Sequence, residues 1–231
     1  YPMGGTQKFT DGDDHTHGGI VAFGSHKYIV LCFKKGRKIV FYTCLSVASR
    51  NAYNLGIDGI IVADIGFAEI LHKELPDLPL HASTQMTVCS ADALPALKKL
   101  GFCRVVAARE MTKNELISLC SKAKELSMEI EVFIHGALCM SMSGQCLLSA
   151  LLGGRSGNRG LCAGPCRLPF SDGFGNENAL SLKDLSLLNH LDELSSMGVA
   201  SLKIEGRMKR PEYVATAVAA AKQMVQNGTV D

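Results

Sequence analysis

From about Asn54 onward the chain alternates short, β-branched apolar runs with longer stretches whose apolar residues recur at helical spacing. DGIIVAD (58–64), bounded by Gly59 and Asp64, reads as a buried strand. Phe67, Ile70, Leu71 and Leu75 follow at helical spacing, and that helix must stop before Pro76. LPLHAST (78–84) is the next strand, followed by a helix carrying Ala91, Leu94, Leu97 and Leu100 and stopped by Gly101. CRVVAAR (103–109) is a third strand. Thr112 and Glu115 then make a T-x-x-E capping box, which opens a helix with Leu116, Leu119, Ala123 and Leu126 inward. MEIEVFIHG (128–136) is a fourth strand. ALSLKDL (179–185) predicts a short strand running into a helix with Leu185, Leu188, Leu191 and Leu194, closed by Gly198. VASLKIEG (199–206) is the last strand, and Pro211 suits the first turn of a final helix running to Asn227.

Strands roughly 20–26 residues apart, each followed by one helix, make βαβ units and a parallel sheet. Six such units without a Gly-x-Gly-x-x-Gly after the first strand favour a (β/α) barrel of TIM type over a dinucleotide-binding sheet. A complete barrel needs eight. Residues 1–53 do not read as the missing two: residues 1–30 show no helical period, and IVLCFKK and KIVFYTCL suggest a hairpin or two strands without the helix that a parallel pair requires. The expectation is therefore an α/β fold, a partial (β/α) barrel over 54–231. Its N-terminal segment, 1–53, is aberrant, incomplete or misjoined, and a four-cysteine insertion occupies 136–170.

Composition narrows the class. A chain of 231 residues, 47% hydrophobic and 20% charged, has ample core and is not intrinsically disordered. No apolar run approaches a membrane span and no signal-peptide pattern opens the chain, so no membrane partner is expected. Nine cysteines, an odd number without dense regular spacing, point to a reducing, cytoplasmic setting rather than a disulfide scaffold. The net charge of +2 says nothing about partners.

The cysteines are not evenly spread. Cys139, Cys146, Cys162 and Cys166 form C-x6-C-x15-C-x3-C among Gly, Ser and Arg. Four thiolates that converge can bind a tetrahedral zinc or an iron–sulfur cluster, although plain structural thiols would need no metal. The spacing is unlike the C-x2–4-C knuckles of structural zinc. Cys32, Cys44, Cys89, Cys103 and Cys120 lie along apolar stretches and read as small buried hydrophobes. From Ala137 to Ser171 there is no Asp or Glu, while Arg155, Arg159 and Arg167 all fall there. That cationic island suits RNA phosphates, or offsets the negative charge of a thiolate-ligated cluster.

A barrel site lies at the C-terminal strand ends. His81, Ser83, Thr84 and Gln85 follow one strand, Arg109 and Glu110 another, and Lys203, Glu205 and Arg207 the last. In EIEVFIHG, Glu131, Phe133 and His135 share one side. If that side faces the barrel interior, Glu131 is paired or protonated. Lys203 and Glu205 share a side and could pair with each other. Any one of these is ordinarily a strand-to-loop polar residue; several on successive strands make a ring, and the candidates for chemistry are His81, Gln85, Glu110, Glu131, Lys203, Glu205 and Arg207. No H-E-x-x-H or G-x-S-x-G is present, which disfavours zinc and serine hydrolase chemistry.

HASTQMTV, EVFIHGALCMSMSGQCLLS, GLCAGPCR and SLKIEGRMKRPEYV resemble the collagenase-like peptidase family, catalogued as "U thirty-two", over roughly Asn54 to Asn227. Upstream of Asn54 the family's opening strands and Gly-rich loops are not recognisable. The resemblance implies a (β/α) barrel and, in the RNA-modifying branches that match C-x3-C followed by Arg, oxygen-independent hydroxylation of tRNA or rRNA; a quinone precursor is the substrate in another branch. It further implies that Cys139, Cys146, Cys162 and Cys166 hold a [4Fe–4S] cluster, with prephenate as oxygen source in the tRNA branch. A second family member or cluster-assembly proteins would be protein partners. The family's name carries a competing expectation, peptide-bond cleavage, and a third is a structural-zinc barrel that only binds RNA.

Overall fold

The computed structural model describes residues 7–9, 16–23, 26–33, 49–157, 161–206 and 209–227. Among the described residues nine strands form one sheet: β1 (Gln7–Phe9), β2 (Thr16–Phe23), β3 (His26–Phe33), β4 (Gly59–Val62), β5 (Leu80–Ala82), β6 (Phe102–Val106), β7 (Glu129–Gly136), β8 (Leu185–Ser186) and β9 (Ser201–Ile204). Besides the helical residues 49–54, the α-helices among the described residues are α1 (Ile65–Glu74), α2 (Leu94–Lys99), α3 (Lys113–Glu125), α4 (Leu148–Gly153), α5 (Leu191–Ser196) and α6 (Pro211–Asn227).

Strands β3, β4, β5, β6, β7 and β9 pair in parallel, in that order, with the helices covering one face. This is a partial (β/α) barrel; β1, β2 and β3 extend it as an antiparallel ribbon on its first edge. IVLCF lies in β3, whose hairpin partner is β2, a segment the sequence did not read as a strand. KIVFYTCL lies outside the described residues. Residues 49–54, ahead of β4, are helical.

Local chemistry sets the element ends. The Asp64 side chain accepts from Phe67 N at 2.7 Å and starts α1. Thr112 and Glu115 form the full reciprocal capping box of α3. Ile60, Val62, Leu80, Val105 and Ile130 face the helices and meet Phe67, Leu71, Leu94 and Leu119, all essentially buried. Each such side chain contributes roughly 1.5–3 kcal/mol when buried. The other sheet face carries the polar residues of the barrel interior.

One sequence expectation shifts. The strand expected over 179–185 is only Leu185–Ser186, and it runs antiparallel to the end of β7. His135 pairs with Ser186 on one edge and with Ile204 of β9 on the other, so β8 fills the edge that β6 has left. β7 and β9 come unusually close at Gly136: a Cβ there would stand 2.4 Å from the Glu205 carbonyl oxygen, and its φ of +121° is glycine territory.

Candidate functional site

The inner face of the sheet carries a layer of buried charge. Glu131 on β7 is 7% exposed. It pairs with Lys203 Nζ at 2.8 Å and with Arg104 at 3.5 Å, and it accepts from Ser201 Oγ at 3.0 Å. Burial pushes the Glu131 carboxyl up, but Lys203, Ser201 and Arg104 together hold it below the ordinary glutamate range. Lys203 therefore pairs with Glu131, not with Glu205 as its spacing suggested. A register shift between Phe133 and His135 breaks the simple alternation. Glu205 instead donates its backbone N–H to the His135 carbonyl at 2.8 Å.

His81 belongs to this layer. Its ring atoms lie 3.2–3.3 Å from where a Cβ on Gly59 would stand, and Gly59 begins β4. His81 thus points toward the N-terminal end of the strands, away from the mouth where the sequence placed it. Burial first, then the Arg104 charge, lowers its pKa to about 4, so it is a neutral imidazole near pH 7.

The cysteine segment sits at the opposite end, fastened to two strand ends. After β5, the Gln85 side chain donates to the Gly157 carbonyl at 3.3 Å and Thr87 Oγ1 to the Ser143 carbonyl at 2.6 Å. After β6, Glu110 accepts from Ser143 N at 2.9 Å and Ser143 Oγ at 2.8 Å, while Arg109 Nη1 donates to the Ala137 carbonyl at 3.4 Å. Burial raises the Glu110 carboxyl, yet the Ser143 bonds bring it below its usual value. Gly144 packs directly on Gln85: an added Cβ would meet the Gln85 carbonyl oxygen at 2.5 Å.

Cys139, Cys146, Cys162 and Cys166 are all free thiols. Burial raises the Cys166 thiol, Arg167 lowers it, and the charges of Cys139, Cys162 and Cys146 raise it further, so all four share one neighbourhood. Gly157 bridges two of them, its Cβ position lying 3.6 Å from Cys162 Cβ and 3.9 Å from the Cys146 carbonyl. Among the described residues, no three His, Cys, Asp or Glu side chains are arranged to hold one metal ion. The four sulfurs are gathered without forming a closed ligand shell. Cys103 donates to the Leu80 carbonyl and Cys120 is buried in the core, as expected, whereas Cys89 is exposed and does not fill the core role read from its apolar surroundings.

The arginines divide. Arg167 donates to the carbonyls of Leu138 (2.6 Å) and Leu182 and to Ser181 Oγ (3.2 Å), clamping the segment to residues 181–182. Arg155 is exposed and bonds only within its own loop, to the Leu161 carbonyl at 3.1 Å. Arg159 and Arg207 lie outside the described residues. Ser143 escaped the sequence reading. It is 1% exposed and carries most of the fastening, and nothing in M-S-M-S-G distinguishes it from its neighbours.

The family model described as Peptidase family U32 matches residues 45–230. The chain belongs to peptidase family U32. Among its U32 relatives, a 23S rRNA 5-hydroxycytidine synthase of Escherichia coli is 36% identical over 211 residues, 87% of this chain and 31% of that protein. A tRNA hydroxylation protein of Bacillus subtilis is 38% identical over 182 residues, 73% of this chain and 42% of the relative. A protein named collagenase from Porphyromonas gingivalis is 32% identical over 196 residues, 76% of this chain and 46% of that one. The chain thus spans less than half the length of each of these three relatives. No helix among the described residues is long and apolar enough to cross a membrane.

Proposed function

We propose that this chain is the cysteine-bearing part of an oxygen-independent hydroxylation enzyme acting on a tRNA or rRNA base, with Cys139, Cys146, Cys162 and Cys166 holding a [4Fe–4S] cluster. One observation carries the reading. Four free thiols are gathered over the C-terminal strand ends in a chain 36–38% identical to relatives named for rRNA and tRNA hydroxylation. The donor set fits the group: the ligands are thiols only, no carboxylate stands within 137–171, and the Arg167 charge offsets thiolate charge. Such a cluster, when bound, supplies one-electron chemistry.

The protein's own residues supply placement. Gln85, Thr87 and Glu110 fix the segment over the strand ends, and the Glu131–Lys203–Arg104 layer below stiffens the barrel wall. The collagenase name of one relative favours peptide hydrolysis instead. That chemistry needs an activated water or nucleophile; His81, a neutral base by its lowered pKa, points away from the mouth.

Anaerobic purification tests the cluster, with about four iron and four sulfide expected per chain. One zinc without inorganic sulfide overturns it. In a full-length relative, alanine in place of the cysteine matching Cys162 should abolish addition of one oxygen atom to an RNA nucleoside, read by mass spectrometry. Gelatin cleavage untouched by the same substitution would establish the peptidase reading.

A further inference from the structure

Among the described residues, four buried side-chain N and O atoms have no hydrogen-bond partner. One, Ser49 Oγ, precedes the parallel helical layer. The other three stand at the C-terminal ends of successive strands: Thr84 Oγ1 after β5, Arg109 Nε after β6 and His135 Nδ1 near the end of β7. An unpaired buried polar atom costs about 1–3 kcal/mol, so three at one mouth call for a cause.

Arg109 is the sharpest of them. Its guanidinium lies over the Phe133 ring, 5.2 Å from the centroid, and Nη1 is taken by the Ala137 carbonyl. The adjacent carboxylate, Glu110, gives both oxygens to Ser143 instead. A part-buried permanent cation is therefore left with its Nε–H directed at no protein acceptor, where pairing is normally required. Phe133 also has Lys203 5.3 Å from its centroid. Two residues further along the same face, His135 stacks on Tyr213 at 5.6 Å, which fixes the ring with Nδ1 unfilled. An oxyanion is the ligand class that accepts from a guanidinium N–H, a hydroxyl and an imidazole N–H together.

We propose that Thr84, Arg109 and His135 form a subsite for the oxyanion of a small molecule, a carboxylate or a phosphate, beneath the cysteine segment. The Nε edge of a guanidinium presents two N–H groups to two oxygens of such a group. The Thr84 hydroxyl and His135 imidazole each add one bond. All three atoms are buried, which rules out the exposed backbone of a polyanion and leaves a small free anion as the ligand class. The subsite is independent of the cysteines and stands whether or not they hold a cluster.

The test titrates the 231-residue chain calorimetrically with inorganic phosphate and, separately, malonate, each against sodium chloride of equal ionic strength. Arginine Nε–H resonances are followed in parallel by nitrogen-15 NMR. Saturable one-to-one binding of at least one anion is expected, moving one Nε–H signal that is missing in Arg109→Lys. Preference between the two identifies carboxylate or phosphate as the source. Arg109→Lys keeps the charge but loses the fork, and should weaken binding at least about tenfold. If that variant does not fold, Thr84→Val, which removes only a hydroxyl, replaces it with a smaller expected loss. Absence of saturable binding to both anions, an equal response to chloride, or unchanged affinity in the folded variant overturns the subsite.

Discussion

Glu110 gives both carboxylate oxygens to Ser143, 33 residues away, one to its backbone N–H at 2.9 Å and one to its hydroxyl at 2.8 Å. The same hydroxyl accepts from Arg109 N at 3.2 Å, and the Ser143 carbonyl accepts from Thr87 Oγ1 at 2.6 Å. One serine between the first two cysteines thereby joins the ends of β5 and β6. A segment of this length, whose regular structure is little more than the six-residue α4, would otherwise carry a large ordering entropy.

Ser143→Ala leaves Glu110 Oε2 and Arg109 N without that partner. The expected cost is about 1–3 kcal/mol in a urea denaturation experiment. Limited proteolysis should cut within 137–171 faster than in the parent chain. Unchanged stability and unchanged cleavage would mean that the segment is held by its other contacts.

Gly144→Ala tests the same docking from the backbone side. Its φ is +77°, and the new Cβ would meet Gln85 backbone atoms at 2.5–2.8 Å, none of which can swing aside. Gly154, at φ +66° with open space around it, is the control. The control should cost about 1–2 kcal/mol, the ordinary left-handed penalty. Gly144→Ala should cost clearly more and also weaken the Gln85–Gly157 contact. Equal midpoints for the two variants would show that the segment lifts off Gln85 freely.

His81 makes stability fall in acid. Its folded pKa is about 4 against 6.5 for the ordinary imidazole, so between those values the unfolded chain binds more protons. Stability is fully present above about pH 6.5 and declines as the pH falls toward 4, by about 3 kcal/mol in all. Glu131, also held below its usual value, adds a further loss only below about pH 4.5. His81→Gln should flatten the decline between pH 6.5 and 4 in a series of denaturation midpoints. A parent-like slope in that window would show that His81 is solvated or charged in the folded state.

How much of this was legible depended on range. The Thr112–Glu115 box is a contact across three positions, so the sequence contains it whole. The shared side of Glu131, Phe133 and His135 follows from strand period alone, and so does the need for Glu131 to be paired. The expected Lys203–Glu205 pair fails because the register shift between β7 and β9 depends on two strands meeting, which no single strand encodes. His81 was placed at the mouth because strand ends were judged from apolar composition. The observed β5 ends at Ala82, with the imidazole turned toward Gly59. The ALSLKDL strand fails for a similar reason: Asp184 accepts from Lys209, just ahead of α6, at 2.7 Å and from Tyr213, within α6, at 3.2 Å, rather than taking a place in the ladder. β2 escaped notice because its Gly18–Gly19 pair dilutes the strand signal.

Charge patterning put Arg155 and Arg167 in one class, and the structure separates them. Arg167 serves three acceptors on two segments, and a lysine has no fork with which to hold Leu138 and residues 181–182 together. Arg155 is exposed and bonds one carbonyl of its own loop. Given the proposed RNA substrate, Arg155→Ala should lower the salt dependence of RNA binding by about 0.7–0.9 in log–log slope, one phosphate contact. Its denaturation midpoint should move by no more than about 0.5 kcal/mol. Arg167→Lys should do the reverse, lowering thermal stability while leaving the slope intact, because the positive charge is kept and the clamp is lost. A reduced slope in Arg167→Lys with undisturbed melting would make Arg167 the phosphate contact and leave the segment fastened at the strand ends alone.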